Sequence, residues 1–397
     1  MENILDNIRN LSFELYEQIK AIRREIHKFP ELAYDEYKTS ELICNVLSDN
    51  DIEFVKGIAG TGVVALIRGQ EEQQKCIAIR ADMDALPVQE ENEVEYKSLV
   101  PGVMHACGHD AHIASALGTA IILNQLKQYI KGIVKIIFQP AEEKLPGGAL
   151  NMINKGILQN PAPASVIAQH VLPELPTGKI GIRSGNFMAS ADEIYITVKG
   201  KGGHGAMPHL ITDNVLITSY IVVALQHIIS RKNNPFIPSV LSFGRIQADG
   251  QTNIIPDKVE ISGTFRTFDE KWRYIAHSCI VNTAQKIADS MSAYCEVNVV
   301  KGYPPVYNNI ELSNRIKNYA EEYVGTENVV DVEMRMTSDD FAFYGIEKPS
   351  CYYRLGTANY DKGITAGLHT PYFDIDEKSL ITGMGFMAWV IFNELKR

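Results

Sequence analysis

In Met104-His105-Ala106-Cys107-Gly108-His109-Asp110-Ala111-His112 a thiol, three imidazoles and a carboxylate are crowded into a few consecutive residues. Packing alone does not require that density of soft and borderline metal-binding groups. Just upstream, the apolar run Ile77-Ala78-Ile79 turns acidic in Arg80-Ala81-Asp82-Met83-Asp84, the pattern of a buried strand that releases carboxylates at its end. Two further apolar runs behave alike. Residues 132–138 open onto Gln139-Pro140-Ala141-Glu142-Glu143, and residues 164–168 open onto Gln169-His170-Val171-Leu172-Pro173. Ligands bind at the carboxyl ends of strands in an open α/β sheet. Asp82 with Asp84, Glu142 with Glu143, and His170 are therefore expected to converge, and the set implies metal-dependent hydrolysis.

Each piece also has a plainer reading. Cys107-x-His109 alone suits a buried thiol beside a capping histidine equally well. Glu142-Glu143 alone also fits a solvated acidic turn, although paired carboxylates suit catalysis, one holding a metal while its neighbour takes a proton from water. His170 follows a buried strand, where an unpartnered imidazole is costly. His369, in Gly367-Leu368-His369-Thr370-Pro371, is a surface histidine by default.

The elements that position these groups are legible as periodicity. Helices are predicted over residues 2–29, 37–47 and 111–126, and strands over 62–68, 76–80, 132–138 and 164–168. From about Phe187 to Gly302 the order becomes strand 192–199, helix 213–230, strands 236–246 and 257–267, helix 271–290 and strand 294–300. That β-α-β-β-α-β order is a ferredoxin-like signature and predicts an inserted α+β domain. A helix over 310–323, strands near Val329 and Cys351 and a last helix over 377–395 then resume the first pattern. The expected fold is α/β, a mixed-sheet catalytic domain of residues 1–186 and 303–397 carrying an inserted lid of residues 187–302. Pocket shape is expected to depend on loops such as Val100-Pro101-Gly102 and Asp339-Asp340-Phe341.

Gly200-Lys201-Gly202-Gly203-His204-Gly205 matches the dinucleotide-binding glycine pattern letter for letter. No helix is expected at those glycines, because Ala206-Met207-Pro208-His209 intervenes, and no acid ends the next strand to hold a ribose. A mobile glycine loop presenting His204 is the better account, with a surface turn as the alternative. Along residues 258–266, Lys258, Glu260, Ser262, Thr264 and Arg266 share one strand face opposite Val259, Ile261 and Phe265. Arg266 thus faces solvent or a cleft, where it is either a solvated cation or a carboxylate-binding residue.

At 397 residues the chain is long for one core, which predicts two domains. A net charge of −10 argues against a nucleic-acid or anionic-membrane surface, since either requires a basic face. Met1-Glu2-Asn3-Ile4-Leu5-Asp6 lacks the basic region and apolar core of a signal peptide. No apolar run approaches the roughly 20 residues of a membrane helix, and the last residues carry no retention or lipidation signal. The six irregularly spaced cysteines are expected as free thiols in a cytoplasmic protein. Helix 215–229 is apolar almost all round, which predicts a homodimer through the inserted domain.

Taken together, the motifs resemble the aminoacylase, hippurate hydrolase and auxin-conjugate hydrolase branch of the co-catalytic metallopeptidase superfamily. The match spans nearly the whole chain: His27-x-x-Pro30-Glu31-Leu32, Arg80 to Pro87, Met104 to Asp110, Gln139 to Glu143, Gly203-His204-Gly205-Ala206-x-Pro208-His209 and Leu368-His369-Thr370-Pro371. The resemblance implies two divalent metal ions (Zn, Mn, Co or Ni) held by Cys107, His109, Glu143, His170 and His369. It implies Glu142 as general base and Asp84 as the acid that orients a ligand, His109 being the expected one. It further implies that His204 reaches a partner subunit's active site and steadies an oxyanion, and that Asn253 and Arg266 contact the substrate carboxylate. Peptidase relatives carry a ligand histidine where this chain has Asp82, and Cys107 is expected to take over that duty. The implied reaction is hydrolysis of the amide in an N-acyl amino acid. A dipeptidase or carboxypeptidase using the same centre is the alternative, and a catalytically silent metal-binding protein is the reading from a different class.

Overall fold

The computed structural model describes residues 4–70 and 75–397, which divide into two compact units. The first comprises Met1–Phe187, Tyr307–Glu333 and Asp339–Arg397, and the second Met188–Val306 with Met334–Ser338.

The first unit is built on an eight-stranded mixed sheet. Its strands lie in the order Glu53–Ile58, Gly62–Arg68, Ile133–Gln139, Cys76–Asp82, Pro163–Pro176, Ser350–Ala358, Ile180–Ile182 and Val329–Asp331. The four central strands, from Ile133–Gln139 to Ser350–Ala358, run parallel. Cys76–Asp82 and Ile133–Gln139 are buried at every position, which is why they read as unbroken apolar runs rather than alternating ones. The helix His109–Gln125 is buried from His109 to Leu123 and packs between this sheet and the last helix, Ser379–Lys396. Its small residues permit that approach. A Cβ on Gly118 would lie 2.6 Å from the Met384 sulfur.

The predicted N-terminal helix is two helices, Ile4–Glu14 and Tyr16–Lys28, separated at Leu15. The i→i−4 bonds Leu15 to Leu11 and Ile19 to Leu15 persist across the break, so the apolar periodicity continues. The expected start at Glu2 lies outside the described residues, as do Met1 and Asn3 of the leader comparison. The strand Glu53–Ile58 was missed because it is a largely exposed edge strand without an apolar face.

The second unit has the strand order Ser239–Ala248, Lys258–Thr267, Asp192–Lys199, Tyr294–Lys301, with antiparallel neighbours throughout. Helices Asn214–His227 and Glu270–Ser290 complete the β-α-β-β-α-β order. Both helices start on a side-chain cap, Asp213 accepting from the Leu216 N–H at 2.9 Å and Asp269 from the Trp272 N–H at 2.7 Å. Among the described residues, one helical stretch, Asn214–Lys232, is long and apolar enough by length and composition to cross a membrane, contrary to the sequence expectation. One face of it packs into the unit's own core through Ile217, Ile221, Leu225 and Ile228, and the other is exposed.

A buried ion cluster ties the second unit together. The Asp192 carboxylate accepts from Arg273 Nε at 2.8 Å and Nη2 at 2.5 Å, from His277 Nε2 at 2.7 Å and from the Gly302 N–H at 3.1 Å. Burial raises the Asp192 pKa, but these partners, Arg273 first, outweigh it and hold it below the usual carboxylate value. A depressed folded-state pKa contributes stability above the unfolded pKa, about 3.9, which is lost as pH falls through the folded value. Asp192→Asn leaves the buried Arg273 guanidinium with Glu270, at its partly exposed end, as the remaining carboxylate partner and is expected to cost about 3–5 kcal/mol at neutral pH. The deficit should close below about pH 4. Urea unfolding followed by Trp272 fluorescence in a Trp389→Phe background measures it, and an equal deficit at every pH would contradict the assignment.

Candidate metal centre

Register places the candidate residues on one level of the parallel strands. Asp82 stands opposite Gln139, Arg80 opposite Ala168, and His170 opposite Arg354. His170 does not leave the sheet where the apolar run ends, as expected. It lies within Pro163–Pro176, because residues 169–172 and 176 keep pairing with Ser350–Ala358 after pairing with Cys76–Asp82 has stopped.

Cys107 and His109 flank Gly108, whose φ of 80° turns the chain into the helix His109–Gln125. A Cβ there would lie 2.5 Å from a Val171 methyl group, so glycine suits both the turn and the contact. The His369 N–H donates to the Ala106 carbonyl at 2.8 Å, which brings the C-terminal loop alongside. Cys107 Sγ is then 3.5 Å from His170 Nε2 and 3.3 Å from His369 Nε2, and His369 Nε2 is 3.2 Å from Glu143 Oε1. Donor atoms of Cys107, His109 and His170 lie within 4.8 Å of one another, as do those of Cys107, Glu143 and His369, and those of His109, Glu142 and Glu143.

These residues fit metal ions. His109 Nδ1 is 2.8 Å from the Asp84 carbonyl oxygen and His170 Nδ1 is 2.7 Å from the Val171 carbonyl oxygen. Each ring donates its Nδ1 proton to a carbonyl and leaves the Nε2 lone pair for a ligand role. His109 Nε2 is buried and has no hydrogen-bond partner. Two other carboxylate-containing groups are already engaged. His112 uses Nδ1 on Asp82 Oδ1 at 2.5 Å and accepts the Val171 N–H on Nε2 at 3.0 Å. Asp339 and Asp340, near Glu142, are held by Arg80, Gln139, Tyr352 and main-chain N–H groups.

The electrostatics also favour a cation. Burial, then Asp339, Glu143 and Asp340, pushes the Glu142 carboxyl well above its usual range. Burial raises Asp340 to about 7 against the pull of Arg80, with Asp339 adding to the rise. Burial and then Glu143 and Glu142 raise the Cys107 thiol. Burial disfavours the His109 cation, but Asp82 and Asp84 outweigh it and bring the imidazole up to about 10. Burial is the first cause of the rises at Glu142, Asp340 and Cys107, and neighbouring carboxylates add to each; at His109 the carboxylates alone raise the imidazole, and a bound cation would offset that carboxylate charge.

Asp84 acts on different atoms from those expected. Its Oδ1 accepts the Glu142 N–H and its Oδ2 the Glu143 N–H, both at 2.9 Å, while His109 Nδ1 bonds to its main-chain carbonyl, with the carboxylate at 3.4 Å. A side chain two residues past a strand end can reach either the ring or the turn, and only packing decides between them.

His204, Asn253 and Arg266 belong to the second unit. Gly203–His204 pairs antiparallel with Ile254–Ile255, and the Gly205 N–H donates to the Asn253 carbonyl at 2.8 Å, so a ribbon holds the glycine segment and brings His204 beside Asn253. Arg266 is half-buried and donates from Nη1 to the Met336 carbonyl at 3.0 Å. Sequence reading missed the parts played by His112, Glu36, Tyr352, Asp339 and Asp340. Adjacent acids followed by Phe341-Ala342-Phe343 were a usable signal, since an apolar flank implies buried charge.

Asp84→Asn puts an amide N–H₂ against a main-chain N–H and leaves a buried donor unsatisfied. It is expected to cost about 1–3 kcal/mol and to lower hydrolytic activity. Thermal unfolding and amide-bond cleavage assays check this, and unchanged stability would contradict the two-oxygen clamp.

Comparison with known proteins places the chain in a family. The description of peptidase family M20/M25/M40 matches residues 78–393. The chain is 42% identical over 303 residues to an N-acyl-L-amino acid amidohydrolase of Geobacillus stearothermophilus, covering 76% of this chain and 81% of that protein. It is 38% identical over 384 residues to thermostable carboxypeptidase 1 of Saccharolobus solfataricus, covering 96% of each. A crystal structure of a dinuclear metal-binding M20 peptidase from Bacillus subtilis superposes with a TM-score of 0.83 at 34% identity, covering 96% of this chain and 99% of that one. With the family pattern matched over residues 78–393 and relatives at 38% and 42% identity over most of both chains, the chain belongs to peptidase family M20/M25/M40.

Proposed function

We propose that this protein hydrolyses the amide bond of N-acyl amino acids to a carboxylate and a free amino acid. One observation carries the reading: two three-donor groups share Cys107 and lie beside the buried Glu142 carboxyl. Cys107, His109, Glu143, His170 and His369 would hold two divalent ions, with Cys107 common to both groups. This thiol, imidazole and carboxylate set suits Zn, Mn, Co or Ni. Held there, such ions would acidify a water, to a pKa of roughly 7 in zinc sites, and would polarise the amide carbonyl.

The chain's own residues supply the remainder. A Glu142 oxygen takes the proton from the attacking water and returns it to the leaving nitrogen, which cannot depart as an amide anion. Asp84 holds Glu142 and Glu143 through their N–H groups and fixes the His109 ring. His204 would offset the oxyanion, and Asn253 and Arg266 would receive the substrate carboxylate. The second unit would serve as the lid. Free thiols at all six cysteines suit a reducing compartment such as the cytoplasm.

The carboxypeptidase reading has the support of the relative so named at 38% identity. Amine release from N-acetyl amino acids, N-benzoylglycine, indole-acyl amino acids and unblocked dipeptides, under Zn, Mn, Co and Ni in turn, separates the two. Blocked substrates alone are expected to react, and turnover confined to unblocked dipeptides would move the assignment to a peptidase. Glu142→Ala should keep its metal while losing roughly 10²–10⁴-fold in turnover; wild-type rates would remove Glu142 as the base.

The homodimer is part of the same proposal. Val215, Leu216, Tyr220 and Val223 leave an apolar face of helix Asn214–His227 exposed, Val223 at 73%, and such a face favours a protein contact. Sedimentation at micromolar concentration should give a dimer and Val223→Glu a monomer. A wild-type monomer would exclude the interface, and with it His204 acting across it.

A further inference from the structure

Glu142 follows a residue in an unfavourable backbone conformation. Ala141 has φ of 52°, in the left-handed region that a residue with a Cβ avoids. Such a conformation persists only where its surroundings enforce it. Here three successive N–H groups are captured by two carboxylates. Asp84 takes those of Glu142 and Glu143, and Glu36 Oε1 takes that of Ala141 at 2.8 Å. The Ala141 carbonyl accepts the Gly148 N–H at 2.9 Å. A Cβ on Gly148 would lie 1.8 Å from the Pro140 oxygen, so the turn is closed tightly from that side as well.

Glu36 is fully buried and lies just before the helix Tyr37–Asp49. Its Oε1 also accepts the Tyr34 N–H at 3.0 Å, and its Oε2 accepts from Thr61 Oγ1 at 2.6 Å. The carboxylate is thus aimed from two sides, and its bond to Ala141 spans 105 residues of chain. Neither the metal donors nor the proposed proton transfers use it.

We infer that Glu36 is a positioning residue for the reaction: by holding the Ala141 N–H it locks the left-handed turn that aims Glu142 at the reacting water. The inference rests on Glu142 being the base. Without Glu36 the Pro140–Ala141 peptide loses its N–H anchor, and only the Asp84 and Gly148 contacts on the next peptide oppose relaxation of Ala141 toward an ordinary conformation. A displacement of about 1 Å at a catalytic group costs on the order of 10²-fold in rate.

Glu36→Leu, Glu36→Asp, Glu36→Gln, Thr61→Val and Glu142→Ala are compared on the N-acyl amino acid of the panel that turns over fastest, with metal content and hydrogen exchange of residues 139–148. Glu36→Asp retains the charge but withdraws the acceptor, and it decides the matter if the leucine variant does not fold. Both are expected to lower kcat by roughly 10–100-fold, with KM nearly unchanged, full metal content and faster exchange at 139–148. Glu36→Gln keeps an oxygen for Ala141 and offers its amide to the Thr61 hydroxyl, so it should restore wild-type kcat and exchange. Thr61→Val removes only the other contact and should lower stability without lowering kcat. Wild-type kcat or unchanged exchange in Glu36→Asp would overturn the inference, as would a Glu36→Gln variant as slow as the leucine one. An inactive Glu142→Ala beside a fully active Glu36→Asp would sink this inference alone. An active Glu142→Ala would instead remove the base assignment on which it rests.

Discussion

The guanidinium of Arg80 is buried near the carboxyl-end edge of the central strands, among more negative charge than it can neutralise. It pairs with Asp82 on its own strand, with Asp339 at 3.1 Å and with Asp340 at 2.7 Å, and it donates to Gln139 at 2.9 Å. One planar cation with several fixed donors thereby joins two neighbouring strands to a segment some 260 residues away. Uncompensated carboxylates at that depth would be protonated or exposed. The level of the sheet on which the metal donors sit therefore depends on this one side chain.

The residual negative potential at that edge has a functional meaning. Glu142, Glu143 and Asp84 cluster beside it; burial first and neighbouring carboxylates next raise Glu142 and Cys107, while Asp82 and Asp84 raise His109 against burial. The protein does not satisfy that charge from its own cations. Instead it directs neutral donors inward: the Asp84 carboxylate is satisfied by main-chain N–H groups, and the donor histidines are fixed through their Nδ1 protons on carbonyls.

The two units illustrate two routes to order. In the first, continuous apolar strands and an almost fully buried helix hold the donor-bearing turns. In the second, a single alternating sheet with two capped helices uses one buried carboxylate, Asp192, to bind the start of a helix to the strand beside it. The exposed apolar side of helix Asn214–His227 is the least self-sufficient part of that unit.

Much of the candidate site could be proposed before any coordinates. Metal chemistry needs thiols, imidazoles and carboxylates, catalysis needs a carboxylate beside them, and few other pressures place such residues at the ends of apolar runs. Cys107, His109, Glu142, Glu143 and His170 could thus be picked out by type and position, and His369 by motif. The division into a mixed α/β unit and a β-α-β-β-α-β unit followed from periodicity. Tertiary structure alone decided which atoms are available. His109 and His112 look alike in sequence, yet packing against Val171 and Asp82 uses both nitrogens of His112 and leaves Nε2 of His109 open. Asp84 looked like a partner for an imidazole and proved chiefly a clamp on two peptide N–H groups. The apolar flank after Asp339 and Asp340 hinted at burial, but which partners they and Glu36 take was not legible, because the contacts to Arg80, Gln139 and Ala141 span more than 100 residues and are set by how the sheet and its turns pack.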